Sequence, residues 1–266
     1  MNRIGKALTL VLAACLLAAA ASADDIGTVV AKLQAKYGKF EKMVKDLTMA
    51  MDVTVQDGKN TMTSENVMYY KEPKFRMDSK MNLGAQGGAM TSSVIFDGSD
   101  MWMVSMMGAQ KIGDKDQMKY GKDKSWRWWS YLTENGTVTG SETVAGHDCW
   151  VIEFPETEAK DGDKARPGFS KLWLAKDLLV QLKAEVPYEK KKKAVIVYSD
   201  IRPAIGKMEM PHKTETFVDG KLATTAIIKS VEYNKNLPDD LFSAAKAKSE
   251  NKGMGGMLKG MVPGGQ

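Results

Sequence analysis

The chain has 266 residues, of which 43% are hydrophobic and 27% are charged, and its formal net charge is +5. The positive excess lies at the two ends, in Arg3, Lys6 and the segment after Ser243, so the central part of the chain is about neutral. Nucleic-acid binding requires a surplus of positive charge on the folded surface. The charge distribution therefore argues against a nucleic-acid partner.

The N-terminal residues have the anatomy of a secretory signal peptide. A short basic region precedes an apolar run over residues 7–21, and Ala21-Ser22-Ala23 is a small-x-small cleavage site followed by Asp24. We therefore expect residues 1–23 to be removed and the mature chain to lie in the periplasm. In the alternative, Cys15 completes a lipobox, carries a lipid and anchors the protein to the outer membrane. The apolar run continues beyond Cys15, which favours cleavage after Ala23.

The mature chain is long enough for one large all-β domain or two small ones. It has no second apolar stretch of membrane-spanning length. Cys149 is its only cysteine, so no intramolecular disulfide can form. We expect Cys149 to be a small buried residue in a strand and not a reactive thiol or a metal ligand.

One helix and then many strands are predicted along the mature chain. Apolar residues at three- and four-residue spacing predict an amphipathic helix from Ile26 to near Asp46. From Leu47 the period changes to two, and this first strand closes at Asp57-Gly58. Further strands are predicted over residues 62–71, 74–82, 91–97, 101–106, 149–154, 170–176, 179–187, 194–201, 208–218 and 224–233. So many short strands favour an antiparallel barrel or a strongly curved sheet.

A series of six short motifs runs through the strand region. In chain order they are Lys71-Glu72-Pro73 with Phe75-Arg76, Asp97-Gly98, Trp102, Leu172-Trp173-Leu174 with Asp177, Met210-Pro211-His212-Lys213, and Leu237-Pro238-Asp239-Asp240-Leu241-Phe242. At these residues the chain resembles the LolA/LolB-like family of outer-membrane lipoprotein carriers and their lipoprotein-sorting relatives. The resemblance extends over residues 26–243.

The resemblance implies a mainly β fold: a half-open barrel, made of a curved antiparallel sheet, over residues 24–243. An N-terminal amphipathic helix and a short lid segment would cover it. It also implies a periplasmic carrier that holds the acyl chains of a lipoprotein or lipid and ferries them toward the outer membrane. Its partners would be an inner-membrane donor and an outer-membrane acceptor, and we expect a monomer. In the family, a basic residue precedes the corner proline and helps to hold the lid closed. Here this position is Glu72, so the resemblance does not imply that this contact gates the lid.

Methionines crowd into the first half of the chain, and their unbranched thioethers suit ligands of variable shape such as acyl chains. An ordinary, loosely packed core is the alternative interpretation. By the resemblance, the expected cavity residues are Met49, Met51, Val53, Met68, Tyr70, Phe75, Met77, Trp102 and Val104. The segment 125–132 is aromatic on all sides and is either a lid, through Trp126, Trp128 and Trp129, or a core segment at one end of the barrel.

Two further segments lie outside the motifs. Residues 190–193 are all lysine, and a solvated hairpin tip is favoured there over a contact with anionic lipid. The Gly-rich segment 244–266 lacks periodicity and is expected to be a flexible tail.

A catalytic function has little support. The only histidines are His147 and His212, and neither lies in a metal-binding or nucleophile motif. We expect no enzyme activity, cofactor or metal site. Two alternatives to the carrier remain: a lipid-sensing or interaction domain on the same fold, and a periplasmic Cu(I)-binding protein that uses Met254, Met257 and Met261.

Overall fold

The structure, a computed structural model, describes residues 24–58, 60–82, 88–114, 129, 132, 135–155, 169–188, 192–206 and 208–250. These residues form one 13-stranded antiparallel sheet with a few short helices. The strands are β1 (Leu47–Asp57), β2 (Asn60–Lys71), β3 (Lys74–Asn82), β4 (Ala89–Phe96), β5 (Asp100–Ser105), β6 (Gly108–Asp114), β7 (Thr137–Val144), β8 (His147–Glu153), β9 (Lys171–Ala175), β10 (Gln181–Tyr188), β11 (Lys192–Pro203), β12 (Glu209–Val218) and β13 (Lys221–Tyr233).

The sheet is a curled ribbon that does not close into a barrel. Its strand order is β6-β5-β4-β3-β2-β1-β13-β12-β11-β10-β9-β8-β7. It therefore consists of two antiparallel meanders joined by the pairing of β1 with β13, which aligns Leu47 with Tyr233 and Met49 with Val231. The predicted fold class, a curved antiparallel sheet in a half-open barrel, is confirmed.

The predicted strands are all present, with ends that shift by a few residues, but the prediction missed β6 and β7. The sequence of β6 contains two glycines and little alternation, and β7 is mostly polar with Gly140 in its middle. Both strands form the outer edges of the sheet, so they need little apolar surface.

The predicted N-terminal helix is divided in two, α1 (Ile26–Tyr37) and α2 (Phe40–Met43). At Gly38, a Cβ atom would lie 2.5 Å from the Gln34 carbonyl oxygen, so this helix end suits only glycine. The Asp25 carboxylate caps the start of α1 by accepting a 2.7 Å hydrogen bond from the Thr28 amide.

Helix α1 packs on the inner face of the second meander. The main buried cluster there consists of Val29, Leu33, Tyr37, Trp129, Leu132, Trp150, Ile152, Leu172, Leu174 and Ala184. Cys149 precedes Trp150 in β8, so its side chain points to the opposite face of the sheet. There it is fully buried in a second cluster, with Val151 and Trp173. The expectation of a small buried cysteine is confirmed, and burial raises the pKa of the Cys149 thiol.

The expected flexible tail does not begin at Ala244. A 3₁₀ helix (Asp239–Phe242) is followed by α3 (residues 244–250), and Ala247 is fully buried against Ile95 and Val104. Residues 244–250, which the sequence assigned to a flexible tail, therefore form a helix that packs on the sheet. Its apolar contact is made mainly by Ala244 and Ala247, and two alanines in so short a segment give no periodic pattern that would predict it. Residues 251–266 lie outside the described part of the chain.

The guanidinium of Arg76 fastens this C-terminal segment to the sheet. It donates to the Leu241 carbonyl oxygen at 3.1 Å and to the carboxylates of Asp78, at 2.7 Å, and Glu250, at 2.5 Å. The Arg76 side chain is only 5% exposed. Because a buried charge is costly without partners, these contacts hold β3 and α3 together.

Candidate functional site

A cavity of about 300 Å³ lies between the helices and the inner face of the sheet, next to the junction of the two meanders. Most of its lining is apolar or aromatic. The lining residues are Tyr37, Phe40, Leu47, Met49, Met68, Trp129, Val180, Gln181, Tyr198, Met208, Glu209, Met210, Pro211, Thr214, Val231 and Tyr233.

The cavity forms where β12 and β13 diverge. The register between these strands begins only at Lys213, which pairs with Ile227, whereas β12 starts at Glu209 and β13 continues to Tyr233. Pro211 lies in the diverging part and has no amide proton for a ladder hydrogen bond. The end of β13 pairs instead with β1, and the start of β12 pairs with β11. The resulting wedge is the space that α1 and α2 cover.

One end of the cavity is apolar. Phe40 of α2 and Leu47 of β1 are buried there, and the rings of Phe40 and Tyr233 meet edge to face with centroids 6.3 Å apart. Met68 and Met208 pack against the same cluster. This end therefore offers thioether and aromatic surface with few hydrogen-bonding groups.

The polar end lies beside the turn between β9 and β10. The Lys36 ammonium donates to the Glu209 carboxylate at 2.8 Å and to the Leu178 carbonyl oxygen at 2.6 Å. The side chain of Lys36 is 18% exposed and that of Glu209 is 35% exposed. A register shift between Gln181 and Lys183 in β10 adds the Gln181 side chain to the same end.

Two tyrosines of the lining remain neutral at physiological pH. Burial raises the pKa of Tyr198 to about 12. Burial, and secondarily the Glu209 carboxylate, also raises the pKa of Tyr37, whose hydroxyl donates to the Leu179 carbonyl oxygen at 2.8 Å. Among the described residues of the lining, Glu209 is the one acidic side chain, and it forms an ion pair with Lys36.

Of the residues expected to line a cavity, the structure places Met49 and Met68 in the lining. Met51, Val53, Tyr70, Phe75 and Met77 share their sheet face by strand alternation and register, but lie beyond the lining. Met77, for example, pairs directly with Met68 and is 37% exposed. These residues extend the inner face away from the cavity.

Trp102 and Val104 lie on the opposite face. Met103 is in register with Val94 and Met77, so its neighbours in β5 point to the outer side of the sheet. There Val104 is fully buried under α3, and the Trp102 indole donates to the Asp97 carboxylate at 3.1 Å. Because side chains alternate along β5, the structure places Trp102 and Val104 outside the cavity lining.

The three tryptophans of the proposed lid separate into two groups. Trp126 and Trp128 lie outside the described residues. Trp129 is 5% exposed, and its ring lies 5.5 Å from that of Tyr37, centroid to centroid. Trp129 therefore belongs to the main core and at the same time closes one side of the cavity.

Most of the lining that comes from the second meander was not predicted from the sequence. Tyr198, Met208, Glu209 and Thr214 face the cavity from β11, β12 and the loop between them. The Met-Pro-His-Lys motif marked this segment as a strand start, and its proline was the available signal that the strand would diverge from a neighbour.

The described residues contain no group of three or more His, Cys, Asp or Glu side chains that could hold a metal ion. Met254, Met257 and Met261, the candidate Cu(I) ligands, lie outside this part of the chain. Within the same described ranges, no helix has the length and hydropathy needed to cross a membrane. His147 contacts Asp177 at 2.8 Å on the surface, and His212 is buried and contacts the Met210 carbonyl oxygen.

Comparison with known proteins finds similarity in fold to several solved structures. A family model described only as an uncharacterized protein matches residues 130–248, and no curated protein matches the chain. A DUF1329 family protein from Desulfovibrio piger is 15% identical, with a TM-score of 0.59, over 84% of this chain and 99% of its own.

Two other solved structures are similar over nearly their whole length. A domain described as an outer membrane lipoprotein-sorting protein, from Vibrio parahaemolyticus, is 14% identical with a TM-score of 0.56, over 83% of this chain and 97% of its own. A LolA superfamily protein from Nitrosomonas europaea is 13% identical with a TM-score of 0.51, over 79% and 96%. The chain therefore has the LolA-like fold that its sequence motifs indicated.

Proposed function

We propose that this protein is a periplasmic carrier that binds the acyl chains of a lipid or lipoprotein in the cavity and ferries them toward the outer membrane. The apolar cavity between the helices and the inner sheet face carries this proposal. The lipoprotein-sorting and LolA superfamily descriptions of two structural neighbours support it. The signal-peptide anatomy of residues 1–23 supports the periplasmic location.

The size of the cavity is sufficient for a useful affinity. An apolar cavity of about 150 Å³ holds one benzene ring, so about 300 Å³ accommodates roughly a dozen carbon atoms. Burial of ten methylenes at ~0.8 kcal/mol each contributes about 8 kcal/mol, which offsets the free energy lost on association. No covalent step is needed to capture and release such a ligand.

The test compares two glutamate substitutions on the same strand and the same sheet face. Met68 lines the cavity, whereas Met62 is 37% exposed and lies outside it. A carboxylate at the cavity wall must lose its hydration when an apolar ligand binds. We expect Met68→Glu to weaken binding of an apolar fluorescent dye by about 100-fold, and Met62→Glu to leave it within about twofold.

Circular dichroism of both variants controls for unfolding. Thr214→Phe is a second test, since it fills the cavity from β12 without a buried charge and should also reduce dye binding. If folded Met68→Glu and Thr214→Phe both bind the dye as well as the wild type, the cavity is not the binding site and the carrier proposal fails.

A further inference from the structure

The shape and charge of the cavity narrow the class of ligand beyond the carrier function. We propose that the cavity takes a single acyl chain, and that the polar head of this chain lies at the Lys36–Glu209 pair and carries no net charge. Monoacylglycerols and zwitterionic lysolipids belong to this class. The inference rests on the proposed function and adds to it the number of chains and the chemistry of the head.

The volume of the cavity favours a ligand with one acyl chain. A space that holds roughly a dozen carbon atoms suits one medium-length chain or the greater part of a longer one. The walls are also well anchored: Tyr37 and Trp129 belong to the main core, and Phe40 and Leu47 are buried in a core cluster of their own. Enlarging the cavity for a second chain would require these packed side chains to separate.

The direction of the acyl chain in the cavity follows from the difference between the two ends of the cavity. The apolar end, with Phe40, Met68 and Tyr233, has the surface that suits a methyl terminus. The opposite end has the Lys36–Glu209 pair and the Gln181 amide, which can donate and accept hydrogen bonds. A ligand oriented with its head at this end keeps its polar atoms paired.

The charge balance at the polar end sets the net charge of the head. Lys36 uses two of its three N–H donors, on Glu209 and on the Leu178 carbonyl oxygen, within the described residues. A free carboxylate would be attracted by the Lys36 ammonium but repelled by the Glu209 carboxylate. An amine would be attracted by Glu209 but repelled by Lys36. A head with hydroxyl groups, or with balanced charges, avoids both penalties.

The experiment measures displacement of a bound apolar dye by four probes with a twelve-carbon chain: monolauroylglycerol, dilauroylglycerol, laurate and dodecylamine. We expect monolauroylglycerol to bind at least about tenfold more tightly than the other three. In Glu209→Gln, the unbalanced Lys36 ammonium should improve laurate relative to monolauroylglycerol by about tenfold and weaken dodecylamine.

Glu215→Gln is the matched control, because Glu215 lies on the same strand, pairs with Lys213 at 2.9 Å and is not part of the cavity lining. It should leave the order of the probes unchanged. If dilauroylglycerol binds as tightly as monolauroylglycerol, or if Glu209→Gln does not change the preference between laurate and monolauroylglycerol, this inference is wrong while the carrier function stands. If none of the probes displaces the dye from the wild type, the carrier function itself fails.

Discussion

Replacing Asp46 tests the junction that holds the two meanders together beside the cavity. Asp46 is 3% exposed, and its carboxylate accepts backbone hydrogen bonds from Lys235 at 2.7 Å, Asn236 at 2.8 Å and Leu237 at 3.3 Å. It thereby ties the start of β1 to the loop that follows β13. The Asp46→Ala substitution removes all three acceptor contacts at once.

The expected cost follows from these contacts. A buried donor left without an acceptor costs about 1–3 kcal/mol, and the exposed loop allows water to replace part of the loss, so we expect Asp46→Ala to lower the free energy of unfolding by about 2–4 kcal/mol. Asp46→Asn keeps one acceptor oxygen and should cost about half as much. Urea denaturation at neutral pH measures both values.

Asp52→Ala is the matched control on the same strand. Asp52 pairs with Lys229 at 3.4 Å, and both side chains are about half exposed, so its loss should cost less than about 1 kcal/mol. If Asp46→Ala were no more destabilising than Asp52→Ala, the three backbone contacts would contribute nothing to stability. The assignment of Asp46 as the link between the meanders would then be refuted.

Two other predictions concern acid stability and the C-terminal helix. Burial alone would raise the pKa of Asp97, but hydrogen bonds from the Asp100 and Ser99 amides and the Trp102 indole lower it below its usual range. The contribution of Asp97 to stability is therefore present above about pH 4 and lost as the pH falls further, so melting curves of Asp97→Asn and wild type should converge below about pH 4. Ending the chain at Ser243 removes the Ala247 packing and the Glu250 partner of Arg76, and should lower Tm by roughly 3–6 °C. Ending it after Glu250 is the control, and equal melting temperatures for the two truncations would contradict a structural role of α3.

The sequence predicts local features of this fold better than long-range ones. The change from helical to strand period at Leu47 and the Asp97-Gly98 turn depend on residues that are close together in the sequence, and both are confirmed. The contact between Asp46 and residues 235–237 joins segments far apart in sequence, so no local pattern could reveal it. The sequence identified the apolar faces of the strands but not the place where β12 leaves β13. The cavity residues of the first meander were therefore predicted only in part.

The strand order also determines how this protein can fold. Every neighbouring pair of strands except β1–β13 is consecutive in sequence, so each meander can form from local hairpins, whereas the β1–β13 pairing must close a long loop. We expect this closure to be the late and slow step. Met49 and Val231 of the cavity face each other across it, so neither meander forms the cavity by itself. A half-folded chain would therefore lack the complete cavity, and the ligand capture proposed above would select molecules in which both halves have already joined.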